Sequence, residues 1–209
     1  MFKGVYIKGA GYVGCRLGHL NILKDAKSKK YKNVMICEDD ITFTTEFPIN
    51  ITVPDDWGMF YLSYYEYDNK SIICENSKQL CENTNFSLLH LFYARSTLCY
   101  IVNESHYDML INYISTSENA GVHSIIDMYY ANIVQNTIPC YGIYPLVTLP
   151  ISDYSTVSDC EIDSNIVTDV INASIKTYNK NINPSFYSFL ATKQPFIYYD
   201  TEYNHFIPR

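Results

Sequence analysis

The sequence predicts an α/β domain with a mixed, mostly parallel central sheet flanked by helices. Three observations carry that expectation. Leu17, Leu20, Leu23 and Ala26 recur near helical spacing and mark a helix over about 16–29 with one apolar stripe. The unbroken apolar run Val34-Met35-Ile36-Cys37 follows almost at once; it is too short for a helix and reads as a strand buried on both faces. A second such run, Met59-Phe60-Tyr61-Leu62, lies further along, and a helix feeding a fully apolar strand is the pattern of a sheet with a parallel core.

The remaining elements follow in order. Residues 4–8 read as a short strand, and Gly9, Gly11 and Gly14 as a glycine-bearing turn. Residues 66–90, rich in Asn, Ser, Glu and Lys, read as a surface loop or a pair of edge elements. Leu98–Val102 is strand-like, and Asn103 or Ser105 caps a helix that turns Met109, Leu110, Tyr113 and Ile114 inward. A further helix begins near Ser124 and carries Ile125, Ile126 and Asp127 in its first turn. Ile138–Tyr144 reads as a strand stopped at Pro145, and Asp163 or Ser164 caps a last helix reaching Tyr178. The aromatic, proline-punctuated stretch from Asn183 to Arg209 is expected to wrap the body. Residues 1–160 thus form the main domain, and 161–209 a helix and tail packing on it.

A chain of 209 residues, 47% hydrophobic and 18% charged, has the composition of one folded domain. Its net charge of −7 argues against nucleic acid as a partner, because backbone binding requires Lys and Arg to neutralise phosphates. The lysines 24, 27, 29, 30 and 32 read as the solvated face and end of the first helix. The 21 tyrosines suit sugar surfaces, and an AT-rich genome explains them equally well. Seven scattered cysteines without a CxxC pair point to a reducing compartment, with Cys74 and Cys81 the one pair near enough in sequence to bridge. No apolar stretch approaches the length that spans a bilayer and no apolar signal core opens the chain, so the expected location is cytoplasmic. The sequons at Asn50 and Asn69 carry little weight in a chain this rich in Asn.

Glu38-Asp39-Asp40, at the end of a buried strand, is the feature that asks for chemistry. Adjacent carboxylates disfavour one another's ionised form and burial adds to that cost. A divalent cation resolves it, and ligands in open α/β sheets gather beyond the carboxyl ends of strands. Alternation along an extended chain sends Glu38 and Asp40 to one side and Asp39 to the other. Oxygen ligands favour Mg²⁺ or Mn²⁺ over zinc. An acidic, solvated turn without a metal explains the same residues.

Gly14-Cys15, His19, the amphipathic helix with Ala26, and the apolar strand into Glu38-Asp39-Asp40 followed by Ile41 and Phe43 resemble family 25 glycosyltransferases, the group of lipopolysaccharide-modifying and collagen galactosyltransferases. Gly18 stands where the family has a serine before the histidine. Trp57–Leu62, Tyr100-Ile101-Val102, Ile126-Asp127, Tyr144-Pro145-Leu146-Val147 and Ser158-Asp159 extend the resemblance over about 11–160. The family opens with a strand and helix before its Gly-Cys segment; here Gly4-Val5-Tyr6-Ile7 substitutes for that unit or the unit is absent, leaving a sheet edge that invites pairing with another subunit or cover by the aromatic tail.

The resemblance implies a GT-A fold, a UDP-galactose or UDP-glucose donor, Mn²⁺ or Mg²⁺, and inverting transfer to a hydroxyl of a glycan or protein. Asp40 and Glu38 are then the metal ligands, with Glu38 or Asp39 holding the ribose or a metal-bound water. Asp127 is the candidate base, and the helix dipole favours its ionised form; a plain helix-start acid is the alternative. His19 orients the glycine turn or touches the donor, or is a buried structural histidine. His123, His106, His90 and His205 are weaker candidates to complete a metal site. Tyr65, Glu66 and Asp68 are candidates for the acceptor side, and Asp159 for a further ligand. A catalytically inactive sugar- or protein-binding relative and a metal-dependent phosphoryl hydrolase are the competing readings.

Overall fold

The structure is a computed structural model and describes residues 3–44, 52–66, 72–73, 86–116, 125–144, 146–150, 153–155, 160–162, 197–200 and 205–208. It is an α/β arrangement of helices on a mixed sheet. Helix α1 (Gly11–Ser28) leads into strands β1 (Asn33–Cys37) and β2 (Ile41–Phe43), then β3 (Met59–Tyr61), β4 (Tyr65–Glu66) and β5 (Ile72–Ile73). Strands β6 (Ser87–Leu91), β7 (Ala94–Arg95) and β8 (Cys99–Asn103) precede helices α2 (Tyr107–Thr116) and α3 (Ile126–Asn132). Strands β9 (Cys140–Tyr144) and β10 (Thr148–Pro150) follow, then two hairpin pairs, β11 (Asp153–Ser155) with β12 (Cys160–Ile162) and β13 (Ile197–Asp200) with β14 (His205–Pro208).

The main sheet has the order β1-β8-β3-β9-β6-β5. Only β3 and β9 run parallel; the other four neighbouring pairs are antiparallel. The expectation of a mostly parallel sheet is therefore corrected. Apolar runs report burial on both faces, and this sheet is covered on both faces without its strands being aligned. On one face Val34, Ile36, Met59, Tyr61, Leu89, Leu91, Tyr100 and Val102 pack with Leu20, Leu23 and Ala26 of α1, Leu110 and Ile114 of α2, and Ile126 and Tyr130 of α3. On the other, Phe60, Leu62, Leu88, Cys99, Tyr141 and Ile143 meet Val147, with Trp57 and Val53 packed against them. Successive residues of β3, β8 and β9 thus alternate between two cores, as the pleat requires.

Two elements differ from expectation. Among the described residues β1 lies at the end of the sheet and pairs only with β8; Val34 and Ile36 are buried, Met35 is half-buried and Cys37 is exposed. Residues 4–8 form no strand: Gly9, at φ +73°, turns the chain, and α1 begins at Gly11, six residues before Leu17 opens its apolar stripe. Gly14 is the reason the segment before the turn can lie against the helix. A β-carbon there would sit 2.1 Å from the carbonyl oxygen of Val5. Within residues 66–90, read as a surface loop or a pair of edge elements, β5 and most of β6 form the far end of the sheet, and β6 pairs with β9.

Asn103 accepts a hydrogen bond from the Ser105 amide and starts a 3₁₀ turn at Glu104–His106 that runs into α2. Among the described residues no helix is long and apolar enough to cross a membrane. The helix expected over 163–178, the Cys74–Cys81 pair, Asn50, Asn69, His123, Asp68 and Asp159 lie outside the described residues.

Candidate functional site

The acidic trio is the bend between two anchored strands. Ahead of it, the Glu38 amide donates to the carbonyl of Leu98 at 2.8 Å, carrying the β1–β8 ladder one residue further. Behind it, β2 pairs with β10, and Thr44 donates its amide to Val147 and its hydroxyl to Leu146. Asp39 is exposed; Glu38 and Asp40 are half-buried, and Asp40 Oδ1 is shielded from solvent. The chain bends at 39 and 40 instead of continuing β1, so the alternation expected of an extended chain does not account for this split.

The three carboxylates do not converge on one point. Glu38 turns toward α1, where His19 Nε2 lies 3.6 Å from its Oε1, and the Thr97 hydroxyl donates to the same oxygen at 2.6 Å. Burial raises the Glu38 carboxyl, but the imidazole of His19 and the Thr97 hydroxyl outweigh it and hold the group below its ordinary value of 4.5. Thr97 is aimed by strain: Ser96 before it is buried with φ +107°, a left-handed conformation costly for a residue with a side chain. The Ser96 hydroxyl accepts from the amide of Leu98, which secures that turn.

His19 is itself fixed from behind. Its Nδ1 lies 2.7 Å from the Tyr100 hydroxyl, which lies 3.3 Å from the Tyr130 hydroxyl, and the three side chains are buried together. The His19 and Tyr100 rings are stacked at 5.7 Å. Burial and the neighbouring Tyr130 push the Tyr100 phenol well above its usual range, so it is a neutral hydrogen-bonding group.

Cys15 stands one helical turn before His19 on the same side of α1. Its thiol is raised by burial, and then by the charges of Glu38, Asp127 and Asp40, against a smaller opposing effect of Thr97. Three acids from the end of β1, the following bend and the start of α3 therefore act on one sulfur. Cys15, His19 and Glu38 bring ligand-type atoms within 4.8 Å of one another, and among the described residues they are the one group of three or more His, Cys, Asp or Glu side chains so disposed.

Asp127, in the first turn of α3, is ion-paired with β7: Arg95 Nε donates to its Oδ2 at 3.1 Å. Its other oxygen, Oδ1, is buried and has no hydrogen-bond partner among the described residues. Gln135 ties α3's neighbouring turn to the same strand by hydrogen bonds with both the amide and the carbonyl of Ala94. The weaker candidates stand apart. His106 lies in the turn before α2, bonded to the Ser105 hydroxyl, and His90 stacks on Tyr141 in β6. Tyr65 is half-buried in β4 beside β7.

Thr97, Arg95, Tyr100 and Tyr130 were not singled out by their spacing for this site, and only their packing against Glu38, Asp127 and His19 reveals them. The one sequence signal available was Tyr100 in its strand-like run. Comparison with models of known protein families gives no match, and comparison with curated proteins gives none.

Proposed function

We propose that this protein is a metal-dependent glycosyltransferase with a GT-A-like fold, moving galactose or glucose from a UDP-sugar to a hydroxyl of a glycan or protein with inversion. The observation that carries the reading is the placing of Glu38 and Asp40, both half-buried and the latter with Oδ1 shielded from solvent, at the bend that follows β1. Crowded, partly buried carboxylates are stabilised by a divalent cation and its diphosphate.

The donor set fits such an ion: Asp40 and Glu38 offer carboxylate oxygens half-shielded from water, as Mn²⁺ or Mg²⁺ require. Asp40 is the direct ligand, Glu38 joins it or positions the ribose, and Asp39, exposed, reaches only the outer side of the donor. The ion would supply Lewis-acid stabilisation of the departing UDP. His19, locked by Tyr100, keeps the Glu38 carboxylate oriented. In the reaction, the acceptor oxygen bonds to the anomeric carbon as the bond to UDP breaks, and the acceptor's proton passes to Asp127. Arg95 holds Asp127 by one oxygen, which leaves Oδ1 to take that proton.

Asp127→Asn tests the assignment: transfer should fall by roughly 10²–10⁴-fold while UDP-sugar affinity is retained. Full transfer by that variant would remove Asp127 from the chemistry. A second reading, an inactive sugar-binding relative, draws on the engagement of Glu38 Oε1 by both Thr97 and His19. It predicts binding without transfer in the wild-type protein.

A further inference from the structure

We infer that Cys15, His19 and Glu38 form a binding site for a thiophilic divalent cation of the zinc class, distinct in chemistry from the oxygen-ligand site of Asp40. The inference does not rest on the transferase reading, and its test is made without nucleotide.

Three features point to it. Cys15 and His19 are four residues apart on α1, so sulfur and imidazole project from one helix face, while Glu38 approaches from the end of β1. Their ligand atoms already lie within 4.8 Å of one another. The His19 Nε2 to Glu38 Oε1 separation of 3.6 Å is too long for a good hydrogen bond. It is close to the edge of a tetrahedron around zinc, about 3.4 Å for metal–nitrogen and metal–oxygen bonds near 2.1 Å.

The outer shell is also in place. A metal-bound imidazole commonly has its second nitrogen hydrogen-bonded, and here Tyr100 occupies that position on Nδ1 at 2.7 Å. Thr97 likewise fixes the Glu38 carboxylate at 2.6 Å. Three protein ligands leave a fourth position for water or another ligand. Because Glu38 belongs to both sets, zinc at this site withdraws it from a manganese ion held by Asp40.

The test is a titration of reduced, chelator-treated full-length protein with Co²⁺ alone. One equivalent should produce a thiolate-to-cobalt charge-transfer band in the near ultraviolet and the intense visible absorption of four-coordinate cobalt, both abolished by Zn²⁺. Cys15→Ser should lose the charge-transfer band. Tyr100→Phe should keep it with affinity about 10–100-fold weaker. Cys37→Ser, on the opposite face of the sheet, should leave the band unchanged. Alkylation of the wild-type protein provides a reading that needs no variant: Zn²⁺ should protect Cys15 and not the exposed Cys37. No band in the wild-type protein, a band that survives Cys15→Ser, or unprotected Cys15 would overturn the inference. A cobalt site in a protein that ignores UDP-sugars would leave it standing while the transferase reading fails.

Discussion

At the scale of residues, the site is a chain of dependencies running from the core outward. Tyr130 and Tyr100 hold His19, His19 and Thr97 hold Glu38, and Arg95 holds Asp127. Removing the Tyr100 hydroxyl leaves a buried imidazole nitrogen without its partner, so Tyr100→Phe should cost about 1–3 kcal/mol in urea unfolding despite preserving the ring. An unchanged midpoint would mean that His19 is not held as described. Glu38 makes a pH prediction. Its folded carboxyl is depressed below 4.5, so its stabilising contribution is fully present above that value and is lost as pH falls through the lower folded value. With chelator present, the melting-temperature advantage of the wild-type protein over Glu38→Gln should hold near neutral pH and shrink below about pH 4. A difference independent of pH would assign the effect to packing rather than charge.

Elements set where those residues stand, and α1 shows how finely. Gly14 meets the Val5 carbonyl, whereas Gly18, one turn on, has nothing within 4 Å of where a β-carbon would be. Gly14→Ala should expel residues 3–7 from the helix, raising their amide exchange and lowering the melting temperature. Gly18→Ala should stabilise α1 by about 0.5–1 kcal/mol through helix propensity alone. Equal effects of the two changes would refute this account of the N-terminal segment. The apolar stripe of α1, the run at β1 and the runs at β3 and β8 were legible because burial leaves periodicity in the sequence. Strand direction was not legible: Val34–Cys37 carries no mark that it would pair antiparallel with β8 at a sheet's end. Leu88–Leu91 was hidden in a polar stretch because its strand character comes from β9, about 50 residues away. The lysine cluster was legible as a solvated face: Lys27 pairs with Asp108, Lys29 with Asp25 and Lys32 with Glu104.

On the scale of the whole molecule, the sheet's two covered faces differ in the side chains they hold. The helix face carries Cys15, His19, Tyr100 and Asp127, while the opposite face holds an apolar core and the facing thiols Cys37 and Cys99, 3.2 Å apart. The candidate carboxylates could be read from Glu38-Asp39-Asp40 because an acidic run after an apolar one is visible locally. Their partners could not, since Thr97, Arg95 and Tyr100 reach the site only through β8 and β7 folding back beside β1 and α3. The role proposed for these carboxylates is to serve a cation-bound nucleotide sugar. Its most direct measurement is calorimetry of UDP-galactose and UDP-glucose against the wild-type protein and Asp40→Ala, each with and without Mn²⁺. Saturable binding of at least one of the two is expected only for the wild-type protein and only with Mn²⁺; no binding to the wild-type protein with Mn²⁺ present, or equal binding to Asp40→Ala, would rule out that role.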